Sequence, residues 1–125
     1  MDTDTFCRSM STCDITVTDD SDVECLGGST CTLSAGVEAD VECQGSDCTV
    51  EAGRGAELDC RNSTCDFTVG GGSTVGCEAG AECRVTCTGP CEVNCSDATS
   101  CLVRCADETE FETVSDDRVC SASAA

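Results

Sequence analysis

The sixteen cysteines are the residues of this chain best equipped for covalent chemistry, and they recur at a nearly fixed interval. The first members of successive pairs, Cys7, Cys25, Cys43, Cys60, Cys77 and Cys95, lie 18, 18, 17, 17 and 18 residues apart. The second members, Cys13, Cys31, Cys48, Cys65, Cys83 and Cys101, follow at 18, 17, 17, 18 and 18. Thiols at this density either oxidise into a disulfide framework or hold soft metal ions as thiolates. A metallothionein-like chain clusters its ligands, whereas this one has no C-x-C, no C-x-x-C and no histidine. The pattern reads as disulfides formed in an oxidising compartment: secreted, cell-surface or periplasmic. A metal-thiolate protein is the reading to pursue if the cysteines are reduced.

Carboxylates are the second chemical resource. Asp and Glu number 25 against six basic residues, all arginine, for a net charge of −19. Such a surface repels nucleic acid and anionic membranes and attracts cations, basic partners or cationic mineral faces. With no His, Lys or Tyr, proton transfer would fall to carboxylates alone, and none stands in a context that buries it. The chain is therefore read as non-enzymatic.

Residues at such intervals need a scaffold with the same period, which means a repeat architecture. Aligning the units on their cysteines exposes alternation on both sides of each pair. Val23, Val41, Leu58, Val75 and Val93 stand two residues before the first cysteine, and Ile15, Leu33, Val50, Phe67, Val85 and Val103 two after the second. Beyond them come Val17, Ala35, Ala52, Val69, Cys87 and Cys105 on one side, and Ser21, Ala39, Ala56, Ser73 and Cys91 on the other. Each unit thus reads as two five-residue strands, parted by one turn of four or five residues and one of three, with alternate side chains facing one interior. Gly, Ser, Asn and Asp fill the turns.

The fold class predicted is all-β: a flattened two-sheet parallel β-solenoid (β-helix) of about six coils of 17–18 residues, with room for a partial seventh, stapled by within-coil disulfides. It spans residues 1–120 as one domain, followed by a tail over 121–125. With Phe6, Phe67 and Phe111 as the only aromatics, staples must replace a large core. The geometry pairs Cys7 with Cys13, Cys25 with Cys31, Cys43 with Cys48, Cys60 with Cys65, Cys77 with Cys83 and Cys95 with Cys101. Cys87 and Cys91 meet at the opposite edge. Cys105 and Cys120 remain by elimination, and their register requires the C-terminal segment to fold back as a cap. Pairing between adjacent coils is the alternative connectivity.

Short coils closed at one edge by a cysteine pair resemble the beetle antifreeze solenoids, whose repeats carry Thr-Cys-Thr; Thr30-Cys31-Thr32 has that form once. The resemblance spans most of the chain and implies the solenoid architecture. The longer period and the absence of a regular Thr-x-Thr ladder set this chain apart, and no functional family is matched by it.

Alternation also assigns the outer faces. The first-strand face carries ten carboxylates and no positive charge, in columns Asp4, Asp22, Asp40, Glu57, Glu92, Glu110 and Glu24, Glu42, Asp59, Glu112. Calcium, which takes six to eight oxygens, is the cofactor expected if any is bound, at Asp22, Glu24, Asp40, Glu42, Glu57 and Asp59. The second-strand face carries Thr16, Thr32, Ser34, Thr49, Thr68 and Thr86, the ice-binding candidates, interrupted by Asp14, Asp66, Arg84, Glu51 and Arg104. Asn62-Ser63-Thr64 is a sequon placed in a turn. No apolar run reaches the ~18 residues of a membrane span. The opening Met-Asp-Thr-Asp lacks the features of a signal peptide, so a secreted form is expected to have lost its export signal or to be a piece of something longer. The function expected is a structural or interaction repeat module of the cell exterior, with ice binding and calcium binding as alternatives. Open solenoid ends predict end-to-end self-association unless capped, and Phe6 and Phe111 are the expected caps.

Overall fold

The computed structural model describes residues 4–7, 12–17, 19–78, 80–95, 98–106, 109–114 and 117–120, with residues 4 and 5 described by their backbone alone. The expected tail, 121–125, lies outside the described residues. No described helix is long and apolar enough to cross a membrane.

The strands run in chain order as β1 (Asp4–Cys7), β2 (Thr12–Thr16), β3 (Asp22–Leu26), β4 (Thr30–Ser34), β5 (Asp40–Gln44), β6 (Asp47–Glu51), β7 (Glu57–Arg61) and β8 (Thr64–Val69). They continue with β9 (Ser73–Glu78), β10 (Glu82–Cys87), β11 (Cys91–Asn94), β12 (Ser100–Arg104), β13 (Glu112–Thr113) and β14 (Asp117–Cys120). Odd-numbered strands β1 to β11 stack in parallel to make one sheet, and even-numbered β2 to β12 make the other. The chain is a two-sheet parallel β-solenoid. Register follows the repeat: Cys25 pairs with Cys43 and Cys43 with Cys60, while Cys31 pairs with Cys48 and Cys48 with Cys65.

Six strands of each sheet stack in parallel, about five turns from the first coil to the last. The partial seventh coil needs correction. Instead of a seventh coil, β14 runs antiparallel along β11 and β13 antiparallel along β12, sealing the C-terminal end. Residues after Cys105 drop out of the repeat, so nothing carries the chain round another parallel turn. Glu112 accordingly belongs to the second sheet, outside the acidic column assigned to it.

Neither expected phenylalanine is a cap. Phe6 neighbours the inward Cys7 and must point out; it is 52% exposed on the outer face of the first sheet. Phe111 lies on the outer face of the second sheet, 4.5 Å from the Arg84 guanidinium and 5.5 Å from that of Arg104.

The interior is a single narrow layer. Val23, Val41, Leu58, Val75 and Val93 from one sheet meet Leu33, Val50, Phe67, Val85 and Val103 from the other, none more than 2% exposed. Six disulfides close one edge, Cys7–Cys13, Cys25–Cys31, Cys43–Cys48, Cys60–Cys65, Cys77–Cys83 and Cys95–Cys101, with Cα–Cα separations of 6.0 to 6.6 Å. Cys87–Cys91 bridges the other edge, and Cys105–Cys120 ties the folded-back segment to the last coil. In the chain-entropy account, each short loop removes about 2 kcal/mol of unfolded-state freedom.

The disulfide edge is lined by a serine column. Ser29, Ser46 and Ser63 are buried; their hydroxyls donate to the carbonyls of Leu26, Gln44 and Arg61, and the Ser46 amide donates to Ser63 Oγ. These bonds let polar turns pack inside at no cost in unpaired donors. At the opposite edge the coils touch closely: a β-carbon on Gly70 would come within 2.6 Å of the Arg54 amide nitrogen.

Candidate functional site

Strands β2 to β7 and β12 begin and end one residue nearer the disulfide turn than the apolar alternation suggests, and β8, β9 and β10 gain one residue there, which gives each outer face a third column. On the first sheet, Leu26, Gln44, Arg61 and Glu78 join the two acidic columns. Arg61 therefore does share this face, where its Nε pairs with Glu78 at 2.7 Å. Gln44 donates to Glu42 Oε1 at 2.7 Å. The far-side column, Asp22, Asp40, Glu57, Thr74 and Glu92, itself holds no basic residue, while Arg54 stands in the adjoining turn.

That far side extends into the turns. Asp20 and Glu38 occupy the same turn position in successive coils, with φ of 58° and 60°, followed by Gly55 at 69° and Gly72 at 76°. A left-handed backbone suits glycine or Asp; holding it twice with acids aims two further carboxylates at the sheet corner. Asp20, Asp22, Glu38, Asp40 and Glu57 line one open trough of about 500 Å³.

The six acids proposed to hold calcium occupy this face as two ladder columns, Asp22, Asp40 and Glu57 beside Glu24, Glu42 and Asp59. They do not converge. Among the described residues, groups of three ligand atoms within 4.8 Å of one another consist only of cysteine sulfurs, all already in disulfides. Parallel strands hold the carboxylates at the coil spacing, and a flat sheet splays them. Asp40 nonetheless has its pKa raised from 3.8, first by lost hydration against the sheet and then by Asp22, Glu57, Asp59 and Glu42. Asp59 is raised by the same loss of hydration and by Glu78 and Glu42, with Arg61 opposing.

The second sheet carries the hydroxyls. Its columns are Thr12, Thr30, Asp47, Thr64, Glu82 and Ser100; then Asp14, Thr32, Thr49, Asp66, Arg84 and Leu102; then Thr16, Ser34, Glu51, Thr68, Thr86 and Arg104. Thr16, Thr32, Ser34, Thr49 and Thr68 line a shallow trough of about 360 Å³ with Asp14, Glu51 and Asp66. Thr86 lies outside it, nearer Phe111 and the two arginines. The first of these columns was not foreseen: Thr12, Thr30 and Thr64 immediately precede cysteines, the only signal for them in the chain. Asn62 of the sequon is exposed on its turn, with φ of 47°.

The two sheets thus present regularly spaced groups on two open faces, one rich in carboxylates and one bearing hydroxyls. No family profile, curated protein or solved structure matches the chain.

Proposed function

We propose that the protein is a non-enzymatic structural or interaction repeat module of the cell exterior, whose acidic face engages a cationic partner or surface. One observation carries this reading: the trough in which Asp20, Asp22, Glu38, Asp40 and Glu57 stand together without a basic residue. Like charges stacked at the coil spacing repel by about 1 kcal/mol per pair even with water screening, and a multivalent cation removes that repulsion. Calcium, as a hard cation taking oxygen ligands, belongs to the ligand class this array attracts. Eight disulfides are compatible with an oxidising compartment.

The test is carboxyl footprinting of the oxidised protein with and without polylysine. Protection concentrated at Asp22, Asp40 and Glu57 supports the reading. Equal protection of the acids on the second sheet contradicts it, because general charge attraction would then account for binding.

The hydroxyl-bearing sheet favours ice binding as a second reading, through the Thr12, Thr30 and Thr64 column beside Thr32 and Thr49. It predicts faceted ice crystals and thermal hysteresis lost in Thr68→Tyr; round ice discs remove it.

A further inference from the structure

At the capped end two disulfides meet as a square. Cys87–Cys91 and Cys105–Cys120 lie one coil apart at the same edge, with Cα–Cα separations of 6.2 and 5.5 Å. Cys91 and Cys120 are direct ladder partners across the antiparallel β11–β14 pair. Cys87 and Cys105 immediately follow Thr86 and Arg104, which are partners in the parallel β10–β12 pair. The sulfurs of Cys87, Cys91 and Cys120 all lie within 4.8 Å of one another. Each cysteine therefore has one partner within its coil and a second in the neighbouring strand. The capped end also opens outward: a mostly apolar groove of about 310 Å³ is lined by Cys91 and Cys120 together with Pro90, Val119 and Gly72. Elsewhere neighbouring bridges stack only across parallel strands; among the described residues, Cys91 and Cys120 are the one cysteine pair facing across an antiparallel ladder.

We propose that Cys87, Cys91, Cys105 and Cys120 form a thiol–disulfide exchange site, at which a small thiol entering by this groove interconverts two bridge arrangements. The thiolate of the small thiol attacks Cys120 Sγ, which lines the groove, forming a mixed disulfide and releasing Cys105 as thiolate. Cys105 attacks Cys87 Sγ; the Cys87–Cys105 bond forms and Cys91 leaves as thiolate. Cys91 then attacks Cys120 Sγ in the mixed disulfide, forming Cys91–Cys120 and expelling the small thiol. Three exchanges of this kind leave no net oxidation or reduction, and the small thiol is regenerated. Both arrangements keep the cap tied to the solenoid, but the second binds it to β10 and β11 together. A strand-neighbour bridge satisfies the separation of ~4.4 to 6.8 Å between Cα atoms that disulfides require.

Trypsin resolves the two arrangements, because it cuts after Arg84, Arg104 and Arg118. In the arrangement described, peptide 85–104 carries only internal bridges, and 105–118 is joined to 119–125. In the exchanged arrangement all three peptides form one species. The oxidised protein is incubated with a catalytic amount of glutathione, quenched with acid, alkylated and digested. Appearance of the three-peptide species, with no free thiol gained, is the expected result; its presence before glutathione is added supports the same conclusion. A digest holding only the two-peptide species after prolonged exchange overturns it. The double variant Cys87→Ser/Cys105→Ser is an independent check: a protein with no free thiol is expected, through a Cys91–Cys120 bridge, and two titratable thiols contradict the proposal.

Discussion

Asp22 and Asp40 are registered partners on adjacent parallel strands, and both point out of the same face. Asp22 is the largest charge acting on Asp40, after the loss of hydration that the sheet itself imposes. The pairing is repeated between Asp40 and Glu57 one coil on. A repeat that stacks like charges in register loses stability locally, and the acidic trough is where this chain does so.

Replacing Asp40 with Asn is predicted to stabilise the fold at neutral pH. The folded-state pKa of Asp40 is raised, so the folded form holds its proton more tightly than the unfolded chain does, and stability rises as pH falls toward 3.8. Denaturant unfolding of the oxidised protein between pH 7 and 3.8 should show this rise, and it should shrink in Asp40→Asn. A variant that is less stable at neutral pH, or keeps the full pH dependence, contradicts the assignment.

Reduction of all bridges is predicted to unfold the solenoid. Each short staple contributes about 2 kcal/mol, and eight of them together match or exceed the roughly 5–15 kcal/mol by which domains are stable. Circular dichroism should lose its strand signal on full reduction and alkylation. Retention of that signal would show that the narrow valine and leucine layer suffices without the sulfur edge.

Much of this was legible in the sequence, and the misses share a cause. Alternation marked Val41, Val50 and Phe67 as interior because burial at period two leaves a strong pattern. The same logic could not find strand ends, since Arg61 and Thr64 flank the disulfide turn and carry no apolar signal. Arg61 and the Thr12, Thr30 and Thr64 column were missed for that reason. Asp20 and Glu38 resembled ordinary turn acids; only their left-handed backbone brings them to the sheet corner. The fold-back of the C-terminal segment followed from pairing Cys105 with Cys120, but its antiparallel register did not, because Glu112 to Cys120 obey no repeat; Glu112 was carried onto the wrong sheet, and Glu110 belongs to no strand.

Phe111 is predicted to hold the cap through Arg84 and Arg104, whose guanidinium groups both lie over its ring. Phe111→Ala should cost about 1–2 kcal/mol, the scale of such contacts. Its effect should appear locally, as faster hydrogen exchange at the Val114 amide that donates to Cys101 O. Exchange accelerated equally in β4 and β6 would show that Phe111 supports the whole solenoid instead.

The central claim is that the acidic trough, not net charge, selects the partner. The most direct measurement compares polylysine affinity for two charge-matched triple variants, Asp22→Asn/Asp40→Asn/Glu57→Gln on the first sheet and Asp14→Asn/Asp47→Asn/Asp66→Asn on the second. Removing the trough charges is predicted to weaken binding about tenfold or more, and removing the others to change it far less. Equal losses in the two variants would contradict the account.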